Sequence, residues 1–129
     1  MKQLVKTLAI DYGTKRIGLA ISQATLAEPL MVVEYEQEAI ALARIAEICQ
    51  KYQIEQLLIG LSEQVSAEKT RQFAQHLAKV INLPQIFFDE TLSSHKVRQH
   101  FRERGKLMGR KIIDHYAAAV FLEEWIALQ

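Results

Sequence analysis

Three carboxylate sites in this chain have the residue types and positions that metal-assisted chemistry requires. Asp11 ends a short apolar run, Asp89 and Glu90 end another, and Asp114 lies near the start of the last predicted helix. The ends of strands are where α/β folds place their chemistry. Carboxylates are hard oxygen ligands, and no histidine or cysteine stands beside them at zinc spacing, so the set favours Mg²⁺ or Mn²⁺. Two such ions about 4 Å apart can activate water against a phosphodiester and stabilise the leaving oxygen.

Each of these acids also has a purely structural interpretation. Asp11 could begin an Asx-turn, and Glu90 could be an ordinary exposed loop acid. Asp114 could favour the positive end of its helix dipole. Sequence spacing by itself leaves open whether the three carboxylates converge in space, so the chemical interpretation depends on a second feature of the chain, its basic segment.

The basic segment runs from Lys96 to Lys111 in a chain whose net charge is only +1. It holds seven lysines and arginines and one acid, Glu103, so its charge is +6 and the rest of the chain carries −5. A local positive field of this size attracts a polyanion such as nucleic acid. The alternative is a solvated helix face followed by a loop. The residues that we expect to contact backbone phosphates are Arg98, Arg102, Arg104, Lys106, Arg110 and Lys111.

Hydrophobic patterning places these residues on a mixed sheet covered by helices. Predicted strands occupy 8–10, 17–21, 30–35, 57–61 and 85–88, and predicted helices begin near 37, 66, 93 and 111. Ile17, Leu19 and Ile21 alternate as a strand that pairs back on the first strand across a turn at 12–15. The helix after Ser66 has an expected inner face of Phe73, Leu77, Val80 and Ile81. Three strands followed by alternating helices and strands favour an α/β fold with helices on both faces of the sheet.

Size and composition predict one compact domain over residues 1–129. No run approaches the roughly 18 consecutive apolar residues of a membrane span, and charges interrupt the start of the chain. We therefore expect neither a membrane anchor nor a signal peptide. The single cysteine, Cys49, fits a reducing compartment, and we expect a cytoplasmic protein.

Four runs of the chain resemble the signatures of the YqgF family, in the same order and over essentially the whole length. They are 11–18, which reads Asp-Tyr-Gly-Thr-Lys-Arg-Ile-Gly, and then 59–61, 89–94 and 113–119. The resemblance implies an RNase H-like fold, in which a mixed sheet of five strands has its first three strands antiparallel. It also implies a nuclease that matures the 5′ end of pre-16S ribosomal RNA, or one that resolves Holliday junctions. The family's acidic site falls on Asp11, Glu90 and Asp114, with Asp89 ranked below Glu90 as a ligand.

The resemblance also assigns Lys15 and Arg16 to phosphate contact, although Arg16 could instead pair with an acid and brace the hairpin. Two positions depart from the family pattern. Thr91 stands where members commonly carry arginine, and residues 62–64 stand where members carry proline and a longer glycine-containing loop. Both departures lie beside the implied substrate path. They leave the metal site intact and leave substrate preference and the strength of activity open.

The expected mechanism is metal-assisted hydrolysis, in which Asp11, Glu90 and Asp114 hold one or two divalent ions and activated water attacks phosphorus in line. The Asp-x-Gly-Thr run also resembles the phosphate-binding hairpin of actin-like ATPases, but those enzymes use two such domains and 129 residues supply one. A nucleic-acid-binding ribosome-maturation factor that does not cut is the alternative from another class. A junction resolvase would act as a homodimer. Phosphate contacts do not distinguish precursor ribosomal RNA from branched DNA, so the substrate also stays open.

Overall fold

The computed structural model describes residues 5–23, 26–61, 65–89 and 113–129, with the side chains of Gln23 and residues 113–116 left outside the description. The strands are β1 (Thr7–Asp11), β2 (Arg16–Gln23), β3 (Leu26–Glu34), β4 (Gln56–Leu61) and β5 (Gln85–Asp89). The helices are α1 (Glu38–Lys51), α2 (Ala67–Val80) and α3 (Ile113–Ala127). The helix predicted near residue 93 lies outside the described residues. None of the helices in the described ranges is long and apolar enough to cross a membrane.

The strands form one mixed sheet in the order β3-β2-β1-β4-β5. β1, β2 and β3 are antiparallel neighbours, while β4 runs parallel to both β1 and β5. The predicted five-stranded sheet with an antiparallel first part is therefore confirmed. Because β1, β4 and β5 are parallel, their carboxyl ends meet at one edge, which is where Asp11 and Asp89 lie.

The third strand begins at Leu26, earlier than the predicted start at residue 30, and Pro29 therefore lies inside β3. A proline has no backbone N–H and is tolerated in a sheet at an edge strand or a bulge. Both conditions hold here, since β3 is last in the strand order and the register with β2 shifts between Leu19 and Ala20, opposite Pro29. The prediction was wrong because it treated proline as a boundary.

The two faces of the sheet pack against different helices. Leu8 and Ile10 belong to the larger core, which α1 and α2 cover with residues such as Ile45 and Phe73. Ala9 points to the other face and belongs to a second core under α3. This division follows from the strand period of two, which sends successive side chains to opposite faces.

Helix α2 begins as predicted, with the Ser66 hydroxyl accepting a hydrogen bond from the Lys69 N–H at 3.2 Å. Its inner face holds Phe73 and Leu77, but Val80 is 54% exposed, so its predicted burial was wrong. Val80 is the last residue of the helix, and the residue after it, Ile81, has an extended backbone. Ile81 takes over the buried position just after the helix ends.

Candidate active site

Asp11 is the last residue of β1 and lies half-buried at the carboxyl edge of the sheet. Its position shares a face with Ala9, which packs under α3, because residues two apart in a strand point the same way. Asp11 is therefore on the α3 face of the sheet, opposite the larger core. It takes part in an interaction with the rest of the protein and is not an isolated carboxylate.

Two glycines flank Asp11 on the neighbouring strands. Gly18 of β2 lies directly across from Asp11 in the antiparallel register. On β4, the pairing of Ile10 with Ile59 makes Gly60 the residue next to Asp11. Residues that pair across strands share a face, so neither neighbour places a side chain beside the carboxylate. Both glycines are buried.

Asp89, the last residue of β5, lies on the other face of the sheet. It follows Phe88, which packs in the core under α3, so strand alternation sends Asp89 to the same side as Phe87. The centre of the Phe87 ring, which is 39% exposed, lies 5.3 Å from the Arg71 guanidinium of α2. Phe87 and Asp89 are therefore on the face of the sheet that α2 covers. Asp11 and Asp89 therefore point away from each other across the sheet.

Asp114 is the second residue of α3. It precedes Ala118 by four positions and Phe121 by seven, and both of these residues are fully buried against the sheet. Residues at this spacing share one helix face, so position 114 lies on the stripe that α3 turns toward the sheet. Its side chain is among those outside the description, and Glu90 lies in the undescribed range 90–112.

The structure brings Asp11 and position 114 to the same face and does not test their convergence with Glu90. In the described part of the chain, no three acidic, histidine or cysteine residues group closely enough to hold a metal ion. The predicted ligand set thus remains a prediction. The oxygen donors in it are all carboxylates, which fits a hard divalent cation.

The β1–β2 turn, residues 12–15, is fastened to the protein from the α1–α2 side. The Tyr12 ring stacks on Phe73 of α2 with centroids 4.4 Å apart. The Tyr35 hydroxyl donates a hydrogen bond of 2.7 Å to the Gly13 carbonyl oxygen, and the Tyr35 N–H donates to the Lys15 carbonyl oxygen at 3.1 Å. Burial, together with a hydrogen bond to Tyr12, raises the pKa of the Tyr35 hydroxyl, so that group stays protonated and able to donate.

Gly13 is required by the close approach of the chain within this turn. A Cβ atom at position 13 would collide with the carbonyl oxygen of Arg16. The glycine therefore allows the hairpin to close immediately after Asp11. Sequence reasoning found Gly13 as a turn residue and did not find Tyr35, since nothing in the local pattern of β3 indicates a contact with a turn twenty-two positions earlier.

Lys15 and Arg16 are both exposed at the start of β2. Arg16 lies directly across from Glu34 of β3 in the antiparallel register, and it takes part in an interaction with the protein. The phosphate contacts predicted for Lys15 and Arg16, and the bracing alternative for Arg16, therefore remain predictions. The six basic residues predicted to bind phosphate are outside the described residues: Arg98, Arg102, Arg104, Lys106, Arg110 and Lys111.

Comparison with known families and proteins gives consistent matches over almost the full chain. A family model described as RuvX, Holliday junction resolvase, matches residues 5–128. A protein of Anaeromyxobacter sp. (strain Fw109-5) named "Putative pre-16S rRNA nuclease" is 36% identical over 134 residues, covering 95% of this chain and 96% of that protein. A relative of the same name from Maridesulfovibrio salexigens is 34% identical, covering 95% and 98%.

Two solved structures share the fold. The T. thermophilus RuvC chain in complex with a Holliday junction substrate matches with a TM-score of 0.61 at 18% identity, covering 97% of this chain and 95% of that chain. The fowlpox virus resolvase in complex with Holliday junction DNA matches with a TM-score of 0.56 at 12% identity, covering 96% and 98%. At these identities the likeness concerns the fold, which is that of RuvC-like, RNase H-like proteins.

Proposed function

Because the chain belongs to the RuvX (YqgF) family, we propose that it is a metal-dependent endonuclease that hydrolyses phosphodiester bonds in the 5′-end maturation of pre-16S ribosomal RNA. The observation that carries this proposal is the placement of Asp11. A carboxylate ends the central strand of the sheet, has glycines on both neighbouring strands, and shares a face with the helix that carries Asp114. The two relatives at 36% and 34% identity are both named "Putative pre-16S rRNA nuclease".

The residues fit a divalent cation, Mg²⁺ or Mn²⁺, in the donor chemistry that they supply. Asp11, Glu90 and Asp114 would hold it with carboxylate oxygens. When bound, such a cation stabilises negative charge on phosphoryl oxygens and lowers the pKa of water.

The chain's own groups account for binding and orientation of the substrate. Lys15 is exposed four residues after the β1 end and can pair with a backbone phosphate next to Asp11. The basic segment from Lys96 to Lys111 supplies further phosphate contacts, which give affinity with little base readout. Binding should therefore weaken steeply as salt is raised, and a flat salt response would argue against this role of the basic segment.

A Holliday junction resolvase is the second candidate, and it has its own supporting observations. The matching family model is described as a junction resolvase, and the two matching folds are proteins solved with Holliday junctions. On this alternative the chain would act as a homodimer, because paired cuts on a two-fold substrate require two sites. A binder that does not cut is the third candidate, motivated by Thr91 and residues 62–64.

The test is cleavage of a labelled pre-16S ribosomal RNA fragment and of a four-way DNA junction, each with Mg²⁺, Mn²⁺ or chelator. Asp11→Asn is the test variant. Asp89→Asn is the matched control, since it makes the same change at the same edge of the sheet on the opposite face. We expect Asp11→Asn to lose at least about 100-fold in rate, and Asp89→Asn to stay within a few-fold of wild type.

The pattern of results separates the candidates. Metal-dependent cutting of the RNA fragment that Asp11→Asn abolishes supports the proposal, and cutting of the junction alone supports the resolvase. Tight binding without cutting under any metal supports the non-cutting factor. Equal losses in Asp11→Asn and Asp89→Asn would contradict the assignment of the site to the α3 face.

A further inference from the structure

The β1–β2 turn is held in one orientation by a hydrogen bond from outside the hairpin. Tyr35 packs beside the core on the α1–α2 face, and from there its hydroxyl donates to the Gly13 carbonyl oxygen at 2.7 Å. The Tyr12 ring, stacked on Phe73, anchors the turn on the same side. The carbonyl of Gly13 therefore points toward the α1–α2 side of the sheet.

The orientation of this carbonyl determines where the next N–H points. The peptide bond between Gly13 and Thr14 is trans, and in a planar trans peptide the C=O and N–H point in opposite directions. The Thr14 N–H is consequently directed away from Tyr35, toward the face of the sheet on which Asp11 lies. Among the described residues, neither this N–H nor the Thr14 hydroxyl has a hydrogen-bond partner, and Thr14 is exposed.

Two donors are thus presented side by side, three and four residues after Asp11. Thr14 offers a backbone N–H, and Lys15 offers an exposed ammonium group. Backbone N–H groups and lysines are the groups that commonly hold phosphate oxygens in nucleic-acid complexes. An N–H that is fixed before binding also loses little entropy when the ligand arrives.

We propose that Thr14 and Lys15 bind one backbone phosphate of the nucleic-acid substrate beside Asp11, and that Tyr35 is the positioning residue that aims the Thr14 N–H at it. This inference rests on the proposed nuclease function and deepens it by naming a contact to the substrate. The ligand is a phosphodiester, and the contact is independent of base sequence. Tyr35 acts through the turn and does not itself touch the substrate.

The experiment measures binding of the labelled RNA fragment in chelator, where cleavage cannot occur, over a series of salt concentrations. Tyr35→Phe removes the hydroxyl and keeps the ring. Tyr52→Phe is the matched control, because Tyr52 lies at the other end of α1, next to Lys51 and remote from the turn. Lys15→Gln removes the charge of the second donor.

We expect Tyr35→Phe to raise Kd by about 3- to 10-fold, the range that one neutral hydrogen bond carries. A neutral donor releases no counterions when it binds a phosphate. The slope of log Kd against log salt for Tyr35→Phe should therefore equal that of the wild type. Lys15→Gln should reduce that slope by about 0.7 to 0.9. In cleavage assays with metal, Tyr35→Phe should raise KM and leave kcat within about twofold, and Tyr52→Phe should match wild type in every measurement.

A second measurement does not depend on the variant folding. In the wild-type protein labelled with ¹⁵N, the Thr14 amide proton should shift downfield when the RNA fragment is added in chelator. Unchanged binding by Tyr35→Phe, or a Thr14 resonance that does not move, overturns this inference while wild-type cleavage still supports the nuclease. A wild-type protein that neither binds nor cuts nucleic acid overturns both.

Discussion

Replacing Ala118 with valine should reduce the cleavage rate far more than the loss of stability explains. Ala118 is fully buried on α3, where the helix rests on Ala9, Ala20 and Ala27 of the sheet. Alanines on both sides allow the helix axis to approach the strands closely. Two added methyl groups at this point can be accommodated only if α3 moves away from the sheet. Asp114 lies one turn before Ala118 on the same helix, so it should move with the helix.

The size of the effect follows from the packing. Overpacking a tight site costs about 1 to 3 kcal/mol, and valine in a helix interior costs about 0.6 kcal/mol more than alanine, so the melting temperature should fall by roughly 5 to 15 °C. A catalytic group displaced by about 1 Å can lose up to about 100-fold in rate. We therefore expect a rate loss of about 10- to 100-fold at a temperature where the protein is fully folded.

Ala74→Val is the matched control. Ala74 is 1% exposed on α2 and packs against the opposite face of the sheet, so the same substitution carries the same helix and packing costs without moving α3. Both variants should be assayed at about 20 °C after thermal melts, with the metal ion varied. If Ala118→Val and Ala74→Val lose stability and activity in parallel, the placement of α3 does not set the rate and the reasoning is refuted.

Three further predictions concern the surroundings of Asp11 and the core. Gly18→Ala should lower cleavage at least about tenfold, because it adds a methyl group on the same face of the sheet directly across from Asp11, while the free energy of unfolding in urea changes by less than about 1 kcal/mol; normal activity would show that the residue across from Asp11 does not affect the site. Ser22→Ala should lower the free energy of unfolding, measured in urea, by about 1 to 3 kcal/mol and leave the activity unchanged. The reason is that the buried Thr7 N–H, which donates to the Ser22 hydroxyl at 2.9 Å, loses its partner. Burial raises the pKa of Cys49 from 9.0 to about 11. The unfolded state therefore ionises first, so this contribution to stability is complete below about pH 9 and is lost as pH rises toward 11, and Cys49→Ala should show a smaller decline over that range.

The sequence predicted those features of the fold that are written in local patterns. The alternation of Ile17, Leu19 and Ile21 indicated β2, and the turn with Gly13 indicated its antiparallel pairing with β1. Ser66 indicated the start of α2 through its side-chain cap. Each of these signals depends on residues within a few positions of one another, which is the range over which propensity, capping and strand period act.

Features that depend on distant contacts did not follow from those patterns. Tyr35 looked like a strand residue, and its role as a donor to the β1–β2 turn appears only when β3 is paired beside β2. The glycines beside Asp11 were visible in the sequence as parts of motifs, yet their shared purpose depends on the register that aligns Gly18 and Gly60 with Asp11. Pro29 is tolerated inside β3 because the strand is at the edge of the sheet and a bulge lies beside the proline, and neither condition is visible in the local sequence.

The proposed site and the larger core lie on opposite faces of the sheet. On the α1–α2 face, large side chains such as Leu8, Ile10 and Phe73 fill the core and also hold the β1–β2 turn through Tyr12. On the α3 face, Ala9, Ala20 and Ala27 of the strands belong to the core under α3, and Gly18 lies across from Asp11. A large side chain lost from the first face removes buried apolar area and should lower stability. A side chain enlarged on the second face changes the distance between β1 and α3, so it should lower the rate even when the protein remains folded.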